Sequence, residues 1–260
     1  MAAILPAESG AWRYPPLVPG TLIRRYKRFL ADVRLDDGRD VVAHCPNTGA
    51  MTAVNQPGCR VWLVPSDNPK RKLAWTWELI ELPEKDGGVA LASVNTGRAN
   101  RIVEAALAAG RLAPLRGYVT LKREASVDDA RLDFLLDDPE RGQAYVEVKQ
   151  VTLKEADGLG YFPDAVSVRG TRHLRTLSRL AQGGARAVLV FCVAHEGIDS
   201  VGAAAHIDPA YAEALGEAVA CGVEVLAYGV SFFKDSDRDN AQTGDMPVAV
   251  ALERRLDVRL

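Results

Sequence analysis

The sequence has few of the features that mark exported, membrane-bound or strongly charged proteins. It contains no long apolar run, and its four cysteines lack any C-x-x-C spacing. It also has no charged segment followed by an apolar leader, so we expect a cytoplasmic protein with reduced thiols and no membrane partner. Lysine and arginine total 32 against 34 acidic residues, which leaves a formal net charge of −2. Any affinity for nucleic acid must therefore come from local basic patches.

A length of 260 residues suits two domains of ordinary size. Short apolar segments separated by turn-rich joints fill the first third of the chain, and they predict a five-stranded barrel. These segments are 21–26, 29–35, 40–44, 59–65 and 73–82. The sequence Glu-Lys-Asp-Gly-Gly at 84–88 has the composition of a linker. We therefore predict a barrel domain over residues 1–86 and a second domain over 87–260.

The second domain is predicted to be α/β. A helix is expected from about residue 98 to 110, followed by three strands, and then helices alternate with strands. The order αβββαβαβ places a mixed sheet between helices, as in a restriction-endonuclease-like core. Residues 235–245 are polar and predict a loop, and 248–252 predict a last strand.

One pair of predicted strands carries the residues of a candidate metal-dependent phosphodiesterase site. In the strand over 145–151, alternation places Glu147 and Lys149 on one face and Val146 and Val148 on the other. The preceding strand contains Asp133, and the turn-forming residues 137–143 would lay it antiparallel to the next strand. Asp133 would then lie near Glu147.

Two converging carboxylates favour a hard divalent cation, Mg²⁺ or Mn²⁺, because two negative charges at close range need a cation between them. Such an ion lowers the pKa of bound water and neutralises a phosphate oxygen, and a nearby lysine can orient that water. We therefore assign catalysis to Asp133, Glu147 and Lys149. The alternative is an ordinary solvated strand face, where Glu and Lys often stand two residues apart.

A third metal ligand could come from the helix that precedes these strands. Asn95 or Thr96 can cap that helix, and Glu104 lies on it. We therefore consider Glu104 a metal ligand together with Asp133 and Glu147, and an exposed helical glutamate is the alternative.

Three basic segments are candidates for nucleic-acid binding. They contribute Arg24, Arg25, Lys27 and Arg28, then Lys70, Arg71 and Lys72, and finally Arg169, Arg172 and His173 at the start of a predicted amphipathic helix. Tyr26 and Phe29 interrupt the first segment, and Trp75 and Trp77 follow the second, so bases could stack there. The alternatives are a solvated charged helix face and tryptophans that fill the barrel core, and we favour the core for both tryptophans. The segment 46–49 either forms a turn or faces the predicted site.

Several blocks of sequence resemble the bacterial sugar fermentation stimulation protein family, SfsA. They are HCPNTGAM at 44–51, SDNPKRKLAWTWEL at 66–79, RLDFLL at 131–136, YVEVKQVTL at 145–153 and FPDAVSVRGTRHL at 162–174. The resemblance implies an OB-like domain joined to a PD-(D/E)XK nuclease-like domain, DNA binding, and a link to maltose-gene regulation. It also implies that Asp133, Glu147 and Lys149 occupy the positions of the nuclease motif.

The sequence as a whole favours a DNA-binding protein with a magnesium-dependent nuclease site. A non-catalytic DNA-binding regulator that keeps the fold is the main alternative, although the sequence has no helix-turn-helix signature. An RNA-processing hydrolase is a third possibility, because neither the basic patches nor the metal chemistry distinguishes the sugar. No dimerisation motif is visible, and the sequence leaves the oligomeric partner open.

Overall fold

The computed structural model describes residues 10–127, 130–235 and 246–260, which form two β-sheets and three α-helices within those ranges. A short first strand, β1 (Trp12–Arg13), comes before the strands of the first sheet. The strands of the first sheet are β2 (Val18–Tyr26), β3 (Leu30–Leu35), β4 (Asp40–His44), β5 (Arg60–Pro65), β6 (Trp75–Pro83) and β7 (Val89–Ser93). Their order is β4-β3-β2-β5-β6-β7, and a parallel pairing of β4 with β6 closes the barrel. The predicted OB-like barrel is confirmed, with β7 as an added strand.

The linker predicted at 84–88 is wrong, because these residues form the turn of the β6–β7 hairpin. Glu84 N–H donates to the carbonyl of Gly88 at 2.9 Å, and Gly87 adopts φ 84°, which glycine tolerates without strain. The first sheet therefore continues to Ser93, past the predicted boundary at residue 86. In addition, β1 pairs with the last strand of the second sheet rather than with the barrel.

The second sheet carries the remaining strands, and three helices pack on its faces. Its strands are β8 (Thr120–Val127), β9 (Ala130–Asp138), β10 (Gly142–Val151), β11 (Leu153–Lys154), β12 (Gly160–Phe162), β13 (Arg186–Val193), β14 (Ser200–Ala203), β15 (Glu224–Asp235) and β16 (Met246–Arg259). The helices are α1 (Ala99–Ala108), α2 (Val168–Gln182) and α3 (Pro209–Ala220). The sheet order is β11-β12-β14-β16-β15-β13-β10-β9-β8. The predicted α/β order is confirmed, with short strands β11, β12 and β14 inserted and β16 longer than the predicted last strand. Most of the loop predicted at 235–245 lies outside the described residues.

The two faces of the second sheet pack against different parts of the molecule. Val146 and Val148 of β10 lie in the core that contains α1 and one side of the barrel, including Trp62. Leu189 and Phe191 of the neighbouring strand β13 lie in the core that contains α2 and α3. Because side chains alternate along a strand, Glu147 and Lys149 face the α2 side.

The barrel and the second domain share backbone contacts as well as core. Ala92 and His195 form an isolated β-bridge, and Ser93 N–H donates to the carbonyl of Ala194 at 2.8 Å. These bonds connect the last strand of the barrel to the segment that follows β13. Within the described ranges, no helix has both the length and the apolar character needed to cross a membrane.

Candidate active site

The strands β9 and β10 bring Asp133 to Glu147 in the way their antiparallel arrangement predicts. Their backbone pairing ends at Phe134 and Val146. Beyond this point the carboxylate of Asp133 replaces the missing strand partner, because its Oδ2 accepts the N–H of Val148 at 2.8 Å. Asp133 is thereby fixed at the place where β9 and β10 separate.

Glu147 is almost completely buried, and its two oxygens have different surroundings. Its Oε1 accepts from Lys149 Nζ at 2.5 Å and from His173 Nδ1. Its Oε2 is buried, and no hydrogen-bonding partner for it exists in the described part of the chain. A buried acceptor without a partner is costly. The second oxygen therefore retains unused capacity to accept a hydrogen bond or to bind a cation.

The tautomer of the neutral His173 ring follows from its neighbours. Arg169 Nε donates to His173 Nε2 at 3.3 Å, so that Nε2 acts as the acceptor. The proton of the neutral ring must then lie on Nδ1, from which it is donated to Glu147. His173 is only 2 % exposed. The prediction that it binds nucleic acid at the surface is wrong, because its side chain lies on the buried face of α2 and hydrogen-bonds to Glu147.

The environment moves the pKa values of the two carboxyl groups in opposite directions. Burial, followed by the nearby charge of Glu147, raises the pKa of Asp133 to about 6. Burial acts on Glu147 in the same direction, but the hydrogen bond from His173 and the charge of Lys149 outweigh it, so its pKa is lowered. A site with one firmly ionised carboxylate and one that titrates near neutrality can respond to a bound cation.

A cleft of about 450 Å³ opens above these groups, between the barrel and the second domain. On the barrel side it is lined by Asn47, Thr48 and Gly49. Of the two interpretations of segment 46–49, the structure therefore supports the one in which it faces the site. The segment packs closely against the second domain, since a Cβ atom at Gly49 would lie 2.3 Å from Asp164 Oδ2. That same oxygen accepts the N–H of Met51 at 3.0 Å.

Glu104, the predicted third metal ligand, lies outside the cleft. Its carboxylate pairs with the guanidinium of Arg123 on β8, which holds it away from Asp133. The helix residue that reaches the site is Asn100, one turn earlier, whose Nδ2 donates to Asp133 Oδ1 at 2.6 Å. The two residues are four apart on one helix face, and this spacing could have identified Asn100 as the nearer side chain.

The donor set of the cleft suits a hard cation with few protein ligands. Among the residues that the structure describes, no three His, Cys, Asp or Glu side chains are arranged to hold a metal ion. Asp133 and the free oxygen of Glu147 could supply two oxygen ligands. Mg²⁺ accepts so small a set because it usually retains several water molecules, whereas a structural zinc site needs four protein ligands.

Two family models match the chain. The N-terminal OB domain of SfsA matches residues 23–91, and the sugar fermentation stimulation protein RE domain matches residues 97–236. The chain belongs to the sugar fermentation stimulation protein family. The resemblance noted in the sequence is thereby confirmed, and so is an OB-like barrel followed by a restriction-endonuclease-like PD-(D/E)XK core.

Three similar SfsA proteins each cover more than four fifths of the chain. The sugar fermentation stimulation protein homologue of Chromohalobacter salexigens is 63 % identical over 247 residues, which are 94 % of this chain and 96 % of that protein. The Marinomonas homologue is 52 % identical over 83 % of both chains. The structure of Pyrococcus furiosus SfsA in complex with Ca²⁺ is 28 % identical, with a TM-score of 0.81, and covers 96 % of this chain and 98 % of that one.

The basic residues of the first predicted patch in this SfsA chain have different environments. Arg24 pairs with Asp32 at 2.7 Å, and Arg25 donates to the carbonyls of Asn47, Gly49 and Arg28. Both of these arginines are therefore engaged within the barrel. Lys27 and Arg28 are exposed at the tip of the β2–β3 hairpin, and Arg28 lines the cleft.

The second predicted patch, Lys70 to Lys72, is exposed on the barrel but does not line the cleft. Arg71 Nη2 donates to Thr76 Oγ1 at 2.9 Å. Trp77 lies fully within the barrel core, as the preferred interpretation predicts, and Trp75 packs against that core while half-buried. Trp77 is therefore structural, and the half-buried ring of Trp75 has the guanidinium of Arg39 6.0 Å from its centroid.

The residues predicted to form one basic face of α2 lie in three different environments. Arg169 is exposed and lines the cleft, whereas Arg172 lies with Arg175 and Arg179 along a shallow groove between α2 and α3. His173 and Thr176 are buried between these two positions. Only the first turn of α2 therefore presents a cation to the candidate active site.

Proposed function

We propose that this protein hydrolyses phosphodiester bonds of DNA in the cleft between its two domains, with Mg²⁺ or Mn²⁺ as cofactor. The observation that carries the proposal is the free, buried oxygen of Glu147 beside Asp133 and Lys149, at the bottom of an open cleft. A bound divalent ion would activate water and neutralise charge on a phosphate oxygen. The similar structure of Pyrococcus furiosus SfsA is a complex with Ca²⁺, a divalent cation that prefers oxygen ligands, which supports a divalent cation in this proposal.

The chain's own groups have distinct roles in this proposal. Asp133 and Glu147 would hold the cation, and Asn100 would keep the first carboxylate in place through its hydrogen bond. Lys149 would orient the attacking water or stabilise the negative charge that develops on the phosphate. Arg28 and Arg169 line the cleft and would bind flanking phosphates, since a guanidinium matches a phosphate in geometry and charge.

The relatives' names connect the family to sugar fermentation. In this proposal the link to sugar fermentation, including the regulation of maltose metabolism that the resemblance implies, is an indirect consequence of an action on DNA. Cutting or binding DNA near the genes concerned would alter their expression without any sugar-binding site in the protein.

A non-catalytic DNA-binding regulator is the second candidate. The observation in its favour is that Lys149 and His173 already occupy Oε1 of Glu147, which gives the lysine an internal partner. In this case the protein would bind DNA tightly, the affinity would not change on addition of metal, and no strand would be cut.

A cleavage assay distinguishes these candidates. Purified protein is incubated with supercoiled, linear duplex and single-stranded DNA, and with RNA, in Mg²⁺, in Mn²⁺ and in a chelator. We expect metal-dependent cutting that falls at least about 100-fold in Asp133→Asn and Glu147→Gln, because each removes a cation ligand. Cutting of RNA alone would instead favour the RNA-processing hydrolase.

Glu104→Gln is the matched control, since it also replaces a carboxylate by an amide but lies outside the cleft. It removes a partly exposed ion pair with Arg123, so cutting should stay within about twofold of wild type and stability should fall by less than about 1 kcal/mol. Undiminished activity in either active-site variant would reject the assigned site. Equal loss in Glu104→Gln would show that the assay reports general damage.

A further inference from the structure

Two exposed valines lie in the segment of the second domain that contributes residues to the cleft wall. Val166 is 71 % exposed and lines the cleft, and Val168, at the first position of α2, is 80 % exposed. They alternate with Ser167, which caps α2, and Arg169, so apolar and polar side chains follow each other along this edge. Such exposure of apolar groups beside an ionic site indicates contact with a partner that is itself partly apolar.

The barrel hairpin that contributes Arg28 to the cleft has the same combination of an apolar group with cations. Phe29 is 46 % exposed and directly follows Lys27 and Arg28 at the tip of the β2–β3 hairpin. Lys27 and Arg28 have φ angles of 47° and 63°, a left-handed conformation that is unfavourable for residues with side chains. Hydrogen bonds hold this tip, from Arg25 to the carbonyl of Arg28 at 2.8 Å and from Arg28 to that of Thr48 at 3.0 Å.

Two aromatic residues also line the cleft. Tyr161 and Phe162 of β12 line the cleft, and both remain partly exposed. The ring of Tyr161 is fixed, because its hydroxyl donates to Asp157 at 2.8 Å and its edge packs against His206. A held aromatic ring in a cleft that also contains Arg28, Lys149 and Arg169 presents a surface on which a flat base can stack.

We propose that the cleft binds a nucleic-acid strand whose bases are unpaired. Val166 and Tyr161 in the cleft, and Phe29 next to Arg28, would contact bases, while Arg28 and Arg169 contact phosphates. The proposal rests on the proposed function and specifies its substrate class. In an intact duplex the bases stack on each other inside the helix, and the outer surface presents mainly phosphate and sugar. Apolar edges would then face charged groups, whereas an unpaired strand offers apolar base faces to them.

The proposal is tested by binding in a chelator, where cutting cannot occur. A fluorescently labelled single strand and its duplex of the same sequence are titrated with the full-length protein, and the measurement is repeated with the RNA single strand. We expect the single strands of DNA and RNA to bind more tightly than the duplex. The double variant Val166→Ser with Val168→Ser, and separately Phe29→Ala, should each weaken single-strand binding about tenfold and change duplex binding by less than about twofold.

Two other exposed valines provide matched controls. Val119 is 72 % exposed and Val89 is 60 % exposed, and neither lines the cleft. Their replacement by serine should leave single-strand affinity unchanged. The proposal is overturned if the duplex binds as tightly as the single strand, or if the cleft variants and the controls behave alike, as they would if the valines contacted a protein partner instead.

Failure of this proposal is distinguishable from failure of the proposed function. If single strand and duplex are cut equally and the valine variants retain full cutting of both, the nuclease assignment stands and the substrate class is wrong. If strand preference and its loss in the variants are observed without any cutting, the substrate class is supported and the hydrolytic function is rejected.

Discussion

Two buried glutamates, Glu78 in the barrel and Glu147 in the second domain, have opposite hydrogen-bonding environments. Glu78 is fully buried, and both of its oxygens have donors. Arg98 Nε donates to Oε2 at 2.8 Å and Arg98 Nη2 to Oε1 at 2.6 Å, while Asn95 Nδ2 donates to Oε1 at 2.9 Å. At Glu147 two donors share one oxygen, and the other oxygen has no partner within the described residues.

The difference separates a structural carboxylate from a functional one. The bidentate pair of Glu78 with Arg98 fixes strand β6 to the turn that starts α1, so it joins the barrel to the second domain. Glu147 retains an unsatisfied acceptor beside a cleft, which is unfavourable for folding unless a ligand completes it. Burial alone therefore does not distinguish an active-site carboxylate from a structural one. The difference lies in whether each carboxylate oxygen has a hydrogen-bond donor.

The largest expected effect on stability is at the structural glutamate. Glu78→Gln leaves the guanidinium of Arg98, whose side chain is only 18 % exposed, without its counter-charge. Breaking a buried ion pair in this way costs about 3 to 5 kcal/mol. Urea denaturation of the metal-free protein should show this loss, and cutting by the folded fraction should remain.

Glu147→Gln is the matched change at the other site. The amide oxygen can still accept from His173, and Lys149 faces the cleft, where it can reach water. We therefore expect a smaller loss of stability than for Glu78→Gln, together with the loss of cutting. A larger loss for Glu147→Gln would show that this carboxylate is primarily structural.

The comparison also shows why part of the site was predictable from sequence. Strand alternation is a local rule, so the common face of Glu147 and Lys149 follows from spacing alone, and the turn-forming residues after β9 place Asp133 beside them. The strands of the barrel were predictable for the same reason. Apolar alternation and turn residues are properties of short segments.

The errors concern side chains whose neighbours are distant in sequence. Arg123 lies on β8, and only the folded sheet shows that it removes Glu104 from the site. His173 lies at the edge of the buried face of α2, where a helical pattern does not distinguish a solvated side chain from one that reaches Glu147. The glycines at 87 and 88 suit a linker or a hairpin equally well, and the pairing of β6 with β7 decides between them.

The next effect in size is the pH dependence of stability at Asp133. Its native pKa of about 6 exceeds the ordinary value of 3.8, so the unfolded chain releases this proton at a lower pH than the native protein does. In the metal-free protein, stability from this group should fall as the pH rises from about 4 to above 6, by up to about 3 kcal/mol. Denaturation curves across this range measure the fall.

Asp133→Asn provides the control for this effect because it cannot titrate. The variant should be less stable than wild type at acidic pH, because the amide replaces one hydrogen-bond acceptor of the carboxyl group. Its free energy of unfolding should not show the fall between about pH 4 and pH 7 that is expected for wild type. The same slope in wild type and variant would assign the pH dependence to other groups. A steeper fall in the variant would contradict the raised pKa.

The smallest of the three effects is stabilisation by metal, and it tests the comparison of the two glutamates directly. A divalent ion that binds only the native state should stabilise wild type by about 2.7 kcal/mol at 100 times its dissociation constant. Glu78→Gln should show the same gain from its lower starting stability, since its cation ligands are intact. Glu147→Gln should show almost none. Thermal denaturation with Mg²⁺, Mn²⁺ and Ca²⁺ measures these gains, and equal stabilisation of both variants would place the cation elsewhere than at the unpartnered oxygen of Glu147.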